Sequence, residues 1–318
     1  MNQNVLVLPG GVHGMSIEPY ASALEERLPG ATVWHSRTNA EVDTRLPEAT
    51  VVTGHHMDAE SLDRAPNLEL FQALYAGTDH LPLSAFEEAG VAVTSASGVH
   101  GPNVAEHAIG GALALTRRFH VARRRASRRE WRHYRAGEMA GSTATVVGLG
   151  PIGEAIVRRL DGFDVDTIGV RYTPAKGGPT DEVVGVEDDA VASALARSEY
   201  LFLACPLTGD TRGLIDGDAF DSLPPGAILV NVARGGVVDT GALVDALRSN
   251  AIRGAALDVT DPEPLPEDHP LLTFENVLIT PHNAGHTPKY YERLADIAAR
   301  NVELIEDGGS RLENQVVP

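Results

Sequence analysis

The stretch Thr143-Ala144-Thr145-Val146-Val147-Gly148-Leu149-Gly150-Pro151-Ile152-Gly153-Glu154 decides the fold. Thr143 to Val147 carries the β-branched composition of a strand, and Glu154 to Leu160 follows with helical patterning. A bare GxGxxG is a weak signal, but between a strand and a helix it reads as a nucleotide-binding loop. Gly148 permits the tight turn, Gly150 lets the backbone approach a pyrophosphate, and Gly153 allows helix to pack on strand. The competing reading is an ordinary glycine-rich turn.

Outward from this loop the chain alternates short apolar runs with polar helical stretches. Val5 to Leu8, Ala31 to Trp34, Thr50 to Thr53, Leu68 to Tyr75 and Val91 to Thr94 come before it. Val165 to Val170, Tyr200 to Ala204, Ala227 to Val232, Gly254 to Val259 and Val277 to Thr280 come after it. The spacing predicts an α/β protein with two Rossmann-like domains, each a doubly wound parallel sheet. A helical pattern beginning near Pro102 is long enough to connect two lobes, and another from Pro288 to Ile305 is placed to fold back onto the first lobe.

The chain has 318 residues, 43% of them hydrophobic, which suffices for two cores and excludes a disordered chain. Its 44 acidic and 26 basic residues give a net charge of −18, which argues against nucleic-acid and membrane partners. Only Lys176 and Lys289 are lysines, leaving 24 arginines. Coding bias is one reading. The other, and the expectation, is a halophilic surface on which hydrated carboxylates replace lysine stems. Cys205 is the single cysteine, which fits a reducing interior. The N-terminal apolar run stops at Pro9, too short for a signal peptide or membrane span, so a cytoplasmic location is expected.

At NAD-selective sites an acid ends the strand after the glycine loop and bonds the ribose 2′-hydroxyl. Here Val165 to Val170 runs into Arg171-Tyr172-Thr173, with no carboxylate before Asp181, while Asp164 and Asp166 stand at the wrong end. A guanidinium and a hydroxyl suit a 2′-phosphate, so NADP(H) is expected in preference to NAD(H).

Three further segments end predicted strands with polar groups: Asn231-Val232-Ala233-Arg234-Gly235, Leu257-Asp258-Val259-Thr260-Asp261-Pro262-Glu263-Pro264, and Thr280-Pro281-His282-Asn283-Ala284-Gly285-His286-Thr287. With the glycine loop, and with Ala76-Gly77-Thr78-Asp79-His80, Asn103-Val104-Ala105-Glu106-His107 and Cys205-Pro206-Leu207-Thr208, they resemble the D-isomer-specific 2-hydroxyacid dehydrogenases, in the branch of glyoxylate and hydroxypyruvate reductases. The order and spacing agree over essentially the whole chain.

The resemblance implies a discontinuous substrate domain, residues 1 to 98 plus 284 to 318, around a dinucleotide-binding domain of residues 99 to 283. It implies reversible reduction of 2-oxo acids to D-2-hydroxy acids by hydride transfer from NAD(P)H, with substrate in a cleft between the lobes. Arg234 would bind the substrate carboxylate and carbonyl, His282 would act as acid and base, and Glu263 would orient His282. The chemistry needs these types: an imidazole exchanges protons near neutrality, a carboxylate fixes its tautomer and favours the imidazolium, and a guanidinium matches a planar carboxylate. Ala76 and Gly77 would offer N–H groups to the substrate. Cofactor contacts are implied at Gly148, Gly150, Pro151, Ile152, Gly153, Arg171, Tyr172, Thr173, Cys205, Pro206, Thr211, Ala233, Asp258, His282 and Gly285. Tyr75, His100, Tyr290 and Tyr291 are candidates for the side-chain pocket.

Twelve histidines include His55-His56 and the pair Glu106-His107, but no metal-ligand spacing is present and no metal is expected. His286, one helical turn beyond His282, reads equally as a site neighbour or a structural residue. Nine arginines and one acid, Glu130, lie between Arg117 and Arg135. With Phe119, Trp131 and Tyr134 among them the run resembles a nucleic-acid patch. The preferred expectation is that it continues the helix from Pro102 into the region by which the resembling family forms dimers, which implies homodimer contacts through the cofactor domain with arginines meeting a partner's acids. The alternatives are a phosphoglycerate dehydrogenase-like enzyme, disfavoured because the chain ends at Pro318 and has Arg171, and a nucleotide-sensing corepressor of the same fold. A formate dehydrogenase is disfavoured by Glu263, and a Rossmann methyltransferase is more distant still.

Overall fold

A computed structural model describes residues 3–12, 14–78, 80–309 and 311–318, which divide into two compact units. The first comprises residues 1–99 and 286–318 and the second residues 100–285. The breaks fall one and two residues later than the boundaries drawn from sequence. Ala284 stays with the second unit because its N–H donates to the buried Asp258 carboxylate at 2.9 Å and its carbonyl accepts from Asn103 Nδ2 at 2.7 Å.

The first unit is built on β1 (Asn4–Val7), β2 (Thr32–His35), β3 (Val51–Gly54), β4 (Leu70–Ala73) and β5 (Ala92–Thr94). These five pair in parallel in the order β5-β4-β3-β1-β2. Every residue of β3 and β4 is buried, as expected of a sheet covered on both faces. The helix Tyr290–Glu306 turns Leu294, Ala295, Ile297 and Ala298 into the core that holds Tyr20 and Leu24, so the C-terminal segment folds with this unit.

The second unit contains β6 (Thr143–Val147), β7 (Asp166–Val170), β8 (Glu182–Val184), β9 (Tyr200–Leu203), β10 (Ile228–Asn231), β11 (Gly254–Leu257) and β12 (Val277–Ile279). All seven are parallel in the order β12-β11-β10-β9-β6-β7-β8. The order reverses between β6 and β9, and the crevice beyond the carboxyl ends of such a pair is where doubly wound sheets take ligands.

A wholly parallel first sheet was expected, and there the structure differs. A strand at residues Gln315–Val317, β13, pairs antiparallel with β5 as an edge. Asn301, fully buried on the C-terminal helix, accepts from Glu313 N at 2.7 Å and delivers the chain to that edge. The long helix also differs. It spans Gly101–Thr116, belongs to the second unit, and stops where Arg118 takes a left-handed φ of 54°, after which a separate helix spans Phe119–Ser127. Residues 281–289 form turns, so His286 does not stand one helical turn beyond His282. Tyr290 and Tyr291 are core residues of the first unit: Tyr290 donates to the Leu74 carbonyl and Tyr291 accepts from Val12 N at 3.0 Å.

Among the described residues no helix is long and apolar enough to cross a membrane. None of their His, Cys, Asp and Glu side chains form a group of three or more that could hold a metal ion.

Candidate active site

The three glycines of the loop are required for three different reasons. Gly148 has φ +95°, and a Cβ there would lie 2.7 Å from the backbone of Cys205, where β6 and β9 run side by side. At Gly153 a Cβ would overlap the Gly148 carbonyl, so the helix Pro151–Leu160 sits directly on the turn. Gly150 is the informative one. A Cβ on it would meet nothing within 4 Å, yet it is the N-cap of that helix and no side chain caps the end. The first-turn N–H groups of Ile152 and Gly153 receive no side-chain cap from Gly150 and stand at the positive end of a helix dipole, while Pro151 has no N–H to satisfy. Such a cradle fits the pyrophosphate of a dinucleotide.

Beyond β7, Arg171 donates from Nη1 to the carbonyl of Gly177 and so is held in the loop that carries Lys176. Tyr172 and Thr173 are exposed beside it. Asp181, the first carboxylate in sequence, is occupied at the opposite end of the strands. It accepts from Thr167 N and Thr167 Oγ1, each at 2.8 Å, and these bonds hold its pKa below the usual carboxylate value. The loop therefore offers cations where an NAD-type site offers an acid.

After β9, Thr211 donates to the Pro206 carbonyl at 2.6 Å and Thr208 N donates to Thr211 Oγ1 at 2.8 Å, which fixes the loop behind Cys205. Cys205 itself is buried, and burial pushes its thiol up to about 11. Gly285 lies beside the His100 ring, which a Cβ would meet at 3.5 Å.

The three residues expected to do the chemistry follow adjacent strands of one sheet, β10, β11 and β12. Arg234 follows β10 in a turn shaped by Asn231, whose Oδ1 accepts from the buried Ala233 N at 3.0 Å and whose Nδ2 donates to the Arg234 carbonyl at 3.1 Å. The exposed Arg234 side chain donates to the Ala233 carbonyl at 2.7 Å. Gly235 leaves no room for a Cβ against the Thr260 carbonyl, so the turn bearing Arg234 presses on the segment leading to Glu263. His282 Nδ1 and Glu263 Oε1 are 2.7 Å apart. An ionised carboxylate can only accept, so Nδ1 carries the proton and Nε2 is the nitrogen that addresses a substrate.

His282 has a left-handed backbone with φ 52°, a conformation that costs a β-carbon-bearing residue ~1–2 kcal/mol. Asp258 holds it there. The carboxylate, 4% exposed, accepts from Thr280 Oγ1 at 2.5 Å, Asn283 N at 2.8 Å and Ala284 N at 2.9 Å, while its backbone carbonyl accepts from His282 N at 2.9 Å. Three of the roughly four acceptor sites of a carboxylate are thus filled by one turn, leaving one for an outside donor. Asn231, Thr280 and the helix partners Asn103 and His107 are members of this site that side-chain chemistry alone did not single out. The signal that could have found them was their place within the segments that carry the family resemblance.

In the first unit Ala76 and Gly77 lie exposed after β4, and a Cβ on Gly77 would touch nothing within 4 Å. The Tyr75 ring stands edge-on to His55, with centroids 5.0 Å apart, and His80 Nε2 lies 2.8 Å from the His55 carbonyl. Asp79 lies outside the described residues.

Residues 109–284 match the family model for the NAD binding domain of D-isomer specific 2-hydroxyacid dehydrogenases. The chain belongs to this family. It is 38% identical over 259 residues to a glyoxylate reductase of Thermofilum pendens, covering 79% of this chain and 76% of that one. It is 33% identical to the D-3-phosphoglycerate dehydrogenase of Methanocaldococcus jannaschii over 85% of its own length, but spans about half, 52%, of that relative. Among solved structures, a D-isomer specific 2-hydroxyacid dehydrogenase of Xanthobacter autotrophicus Py2 in complex with NADPH and MES aligns over 99% of this chain and 98% of that one. That pair has a TM-score of 0.78 and 29% identity. The protein is therefore an NAD(P)-dependent oxidoreductase acting on the CH–OH group of donors, built on the two-sheet α/β fold of its family.

Proposed function

We propose that the protein reduces 2-oxo acids to D-2-hydroxy acids with NADPH in preference to NADH, and runs the reverse oxidation. The observation that carries this reading is the 2.7 Å contact of His282 with Glu263, on the strand next but one to that bearing Arg234. When bound, a nicotinamide would supply the hydride for C2 of the substrate. This chain supplies the rest. Arg234 pairs its guanidinium with the substrate carboxylate and stabilises charge on the carbonyl oxygen. His282, as the imidazolium that the Glu263 carboxylate favours, delivers its Nε2 proton to that oxygen and keeps its Nδ1 proton directed at Glu263. Reduction consumes one 2-oxo acid, one hydride and one proton per hydroxy acid formed, and the spent imidazole recovers its proton from water.

In the proposed cofactor site Ile152 and Gly153 hold the pyrophosphate, Arg171 and Thr173 the 2′-phosphate, and Pro206 and the remaining acceptor site of Asp258 the nicotinamide end. Lys176 adds a second cation to the Arg171 loop. The carboxylate contacts proposed for Ala76 and Gly77, and the D configuration, rest on the family.

A homodimer through the second unit is part of the proposal. Its support is Trp131, wholly exposed at 101%, and Phe119 at 56%, flanking a concavity of about 740 Å³ with Arg129 and Tyr134. Arg124 and Arg125 serve their own chain: Arg124 pairs with Glu275, and Arg125 donates to the carbonyls of Arg132 and His133 at 2.7 Å. The aromatic side chains, more than these arginines, are therefore the contacts offered to a second copy. A salt-rich, reducing cytoplasm fits the acid excess and the lone buried thiol. Comparing kcat/KM for NADPH and NADH with a panel of 2-oxo acids from glyoxylate to branched six-carbon acids, at low and high salt, tests the reading. Equal use of NADH overturns the cofactor preference, and no oxidation with any acid overturns the activity.

A further inference from the structure

We propose that Asn103 and His107 are positioning residues for His282, acting through the Thr280-to-Ala284 turn. They stand four apart on the helix Gly101–Thr116, a spacing that puts two side chains on one face. Both reach the same turn, at its two ends. Asn103 Nδ2 donates to the Ala284 carbonyl at 2.7 Å, and His107 Nε2 lies 2.9 Å from Thr280 Oγ1 and 3.6 Å from Asp258 Oδ1. His282 sits between those ends in its left-handed conformation.

The direction of each hydrogen bond follows from the donor inventory. Asp258 already accepts two backbone N–H groups and can only accept when ionised, so the single hydroxyl proton of Thr280 is committed to it at 2.5 Å. Thr280 Oγ1 must then accept from His107, which fixes the hydrogen of that ring on Nε2. The chain runs His107 to Thr280 to Asp258 to the N–H groups of Asn283 and Ala284. It joins a helix to the turn across 173 residues of sequence. His107 is 30% exposed on its side chain and touches none of the groups assigned to substrate, so its contribution is to where His282 points. Misplacing a reacting group by an ångström costs as much as ~100-fold in rate.

The inference rests on His282 being the proton donor, so His282→Ala is measured beside the helix variants. The assay is steady-state NADPH oxidation with the best 2-oxo acid of the panel, with thermal unfolding of each variant. His107→Leu should lower kcat by ~10-fold or more while the KM for the 2-oxo acid stays within about twofold. His107→Gln, whose amide nitrogen reaches the Nε2 position as a donor, should restore kcat to within about threefold of wild type. Thr280→Val and Thr280→Ser repeat the comparison from the other end should a His107 variant not fold. Wild-type kcat in His107→Leu beside an inactive His282→Ala overturns the positioning role and leaves the reading of His282 intact. A His107→Gln variant as slow as His107→Leu, with unfolding temperatures unchanged, overturns it equally. Full turnover by His282→Ala instead overturns the reading on which the inference rests.

Discussion

Replacing Asp258 with Asn keeps the shape of the side chain and removes one acceptor from the turn that carries His282. The carboxylate accepts three hydrogen bonds, two on Oδ1 and one on Oδ2, and is 4% exposed, so water cannot stand in. In the better of its two orientations, the amide keeps its oxygen toward Thr280 and Asn283 and turns its NH2 against Ala284 N–H, two donors face to face. One buried N–H left unsatisfied costs ~1–3 kcal/mol. The two retained bonds fall from charge-assisted to neutral strength, a further ~0.5–1 kcal/mol each. The expected loss is ~2–5 kcal/mol, and the opposite orientation is worse because it strands two donors. Urea denaturation with hydrogen exchange reads this directly, since a two-unit chain need not unfold in one step. With a typical m-value the transition containing the second unit should move down by ~1 M urea or more, and the amides of Asn283 and Ala284 should lose protection. An unchanged midpoint with unchanged protection of those amides would refute the clamp that Asp258 is said to provide.

Other outcomes follow from the same geometry. Arg171→Ala should reduce kcat/KM for NADPH by ~10-fold or more and leave NADH within about twofold, because only the 2′-phosphate distinguishes them; steady-state kinetics with both cofactors decides it. Burial raises the Cys205 thiol from its ordinary 9 to about 11, so the folded state binds the proton more tightly than the unfolded chain. That contribution to stability is whole below about pH 9 and is lost as pH rises through about 11, which denaturation at stepped pH should show and Cys205→Ser should abolish. Trp131→Ala should shift the protein toward monomer in analytical ultracentrifugation, and an unchanged sedimentation coefficient removes that aromatic from the proposed interface.

The parts of the fold that were legible are those carried by local pattern. Thr143 to Gly153 announces its strand, turn and helix because β-branched residues, glycines and helical spacing lie within a dozen positions. The edge strands β8 and β13 are only three residues each and half solvated, so neither shows a period. The break at Arg118 was hidden because the left-handed residue is an arginine, where the pattern of a glycine would have marked it. The sequence shows no carboxylate between Val170 and Asp181, but nothing in it pairs Asp181 with Thr167.

Arg234, Glu263 and His282 were offered as catalytic candidates by the family resemblance, and each follows a strand and has chemistry that the proposed reaction needs. What holds them was not legible in the sequence. Asp258 stood out as a polar residue at a strand end, yet its three donors come from residues 280 to 284, and nothing local says that a buried acid will face a turn 22 residues away. His107 shared a segment with Glu106 and drew attention as a metal ligand. It forms a hydrogen bond to a threonine across most of the second unit's sequence, a pairing set by the packing of the helix on β10 and β11.

In the proposed reaction His282 protonates the oxygen of a 2-oxo acid while NADPH is oxidised. The most direct measurement of that step is NADPH oxidation by wild type and His282→Ala with glyoxylate and hydroxypyruvate across the pH range. The wild type should turn over, and His282→Ala should show a kcat lower by ~100-fold or more with the KM for NADPH nearly unchanged. Wild-type turnover by His282→Ala at every pH would contradict that role.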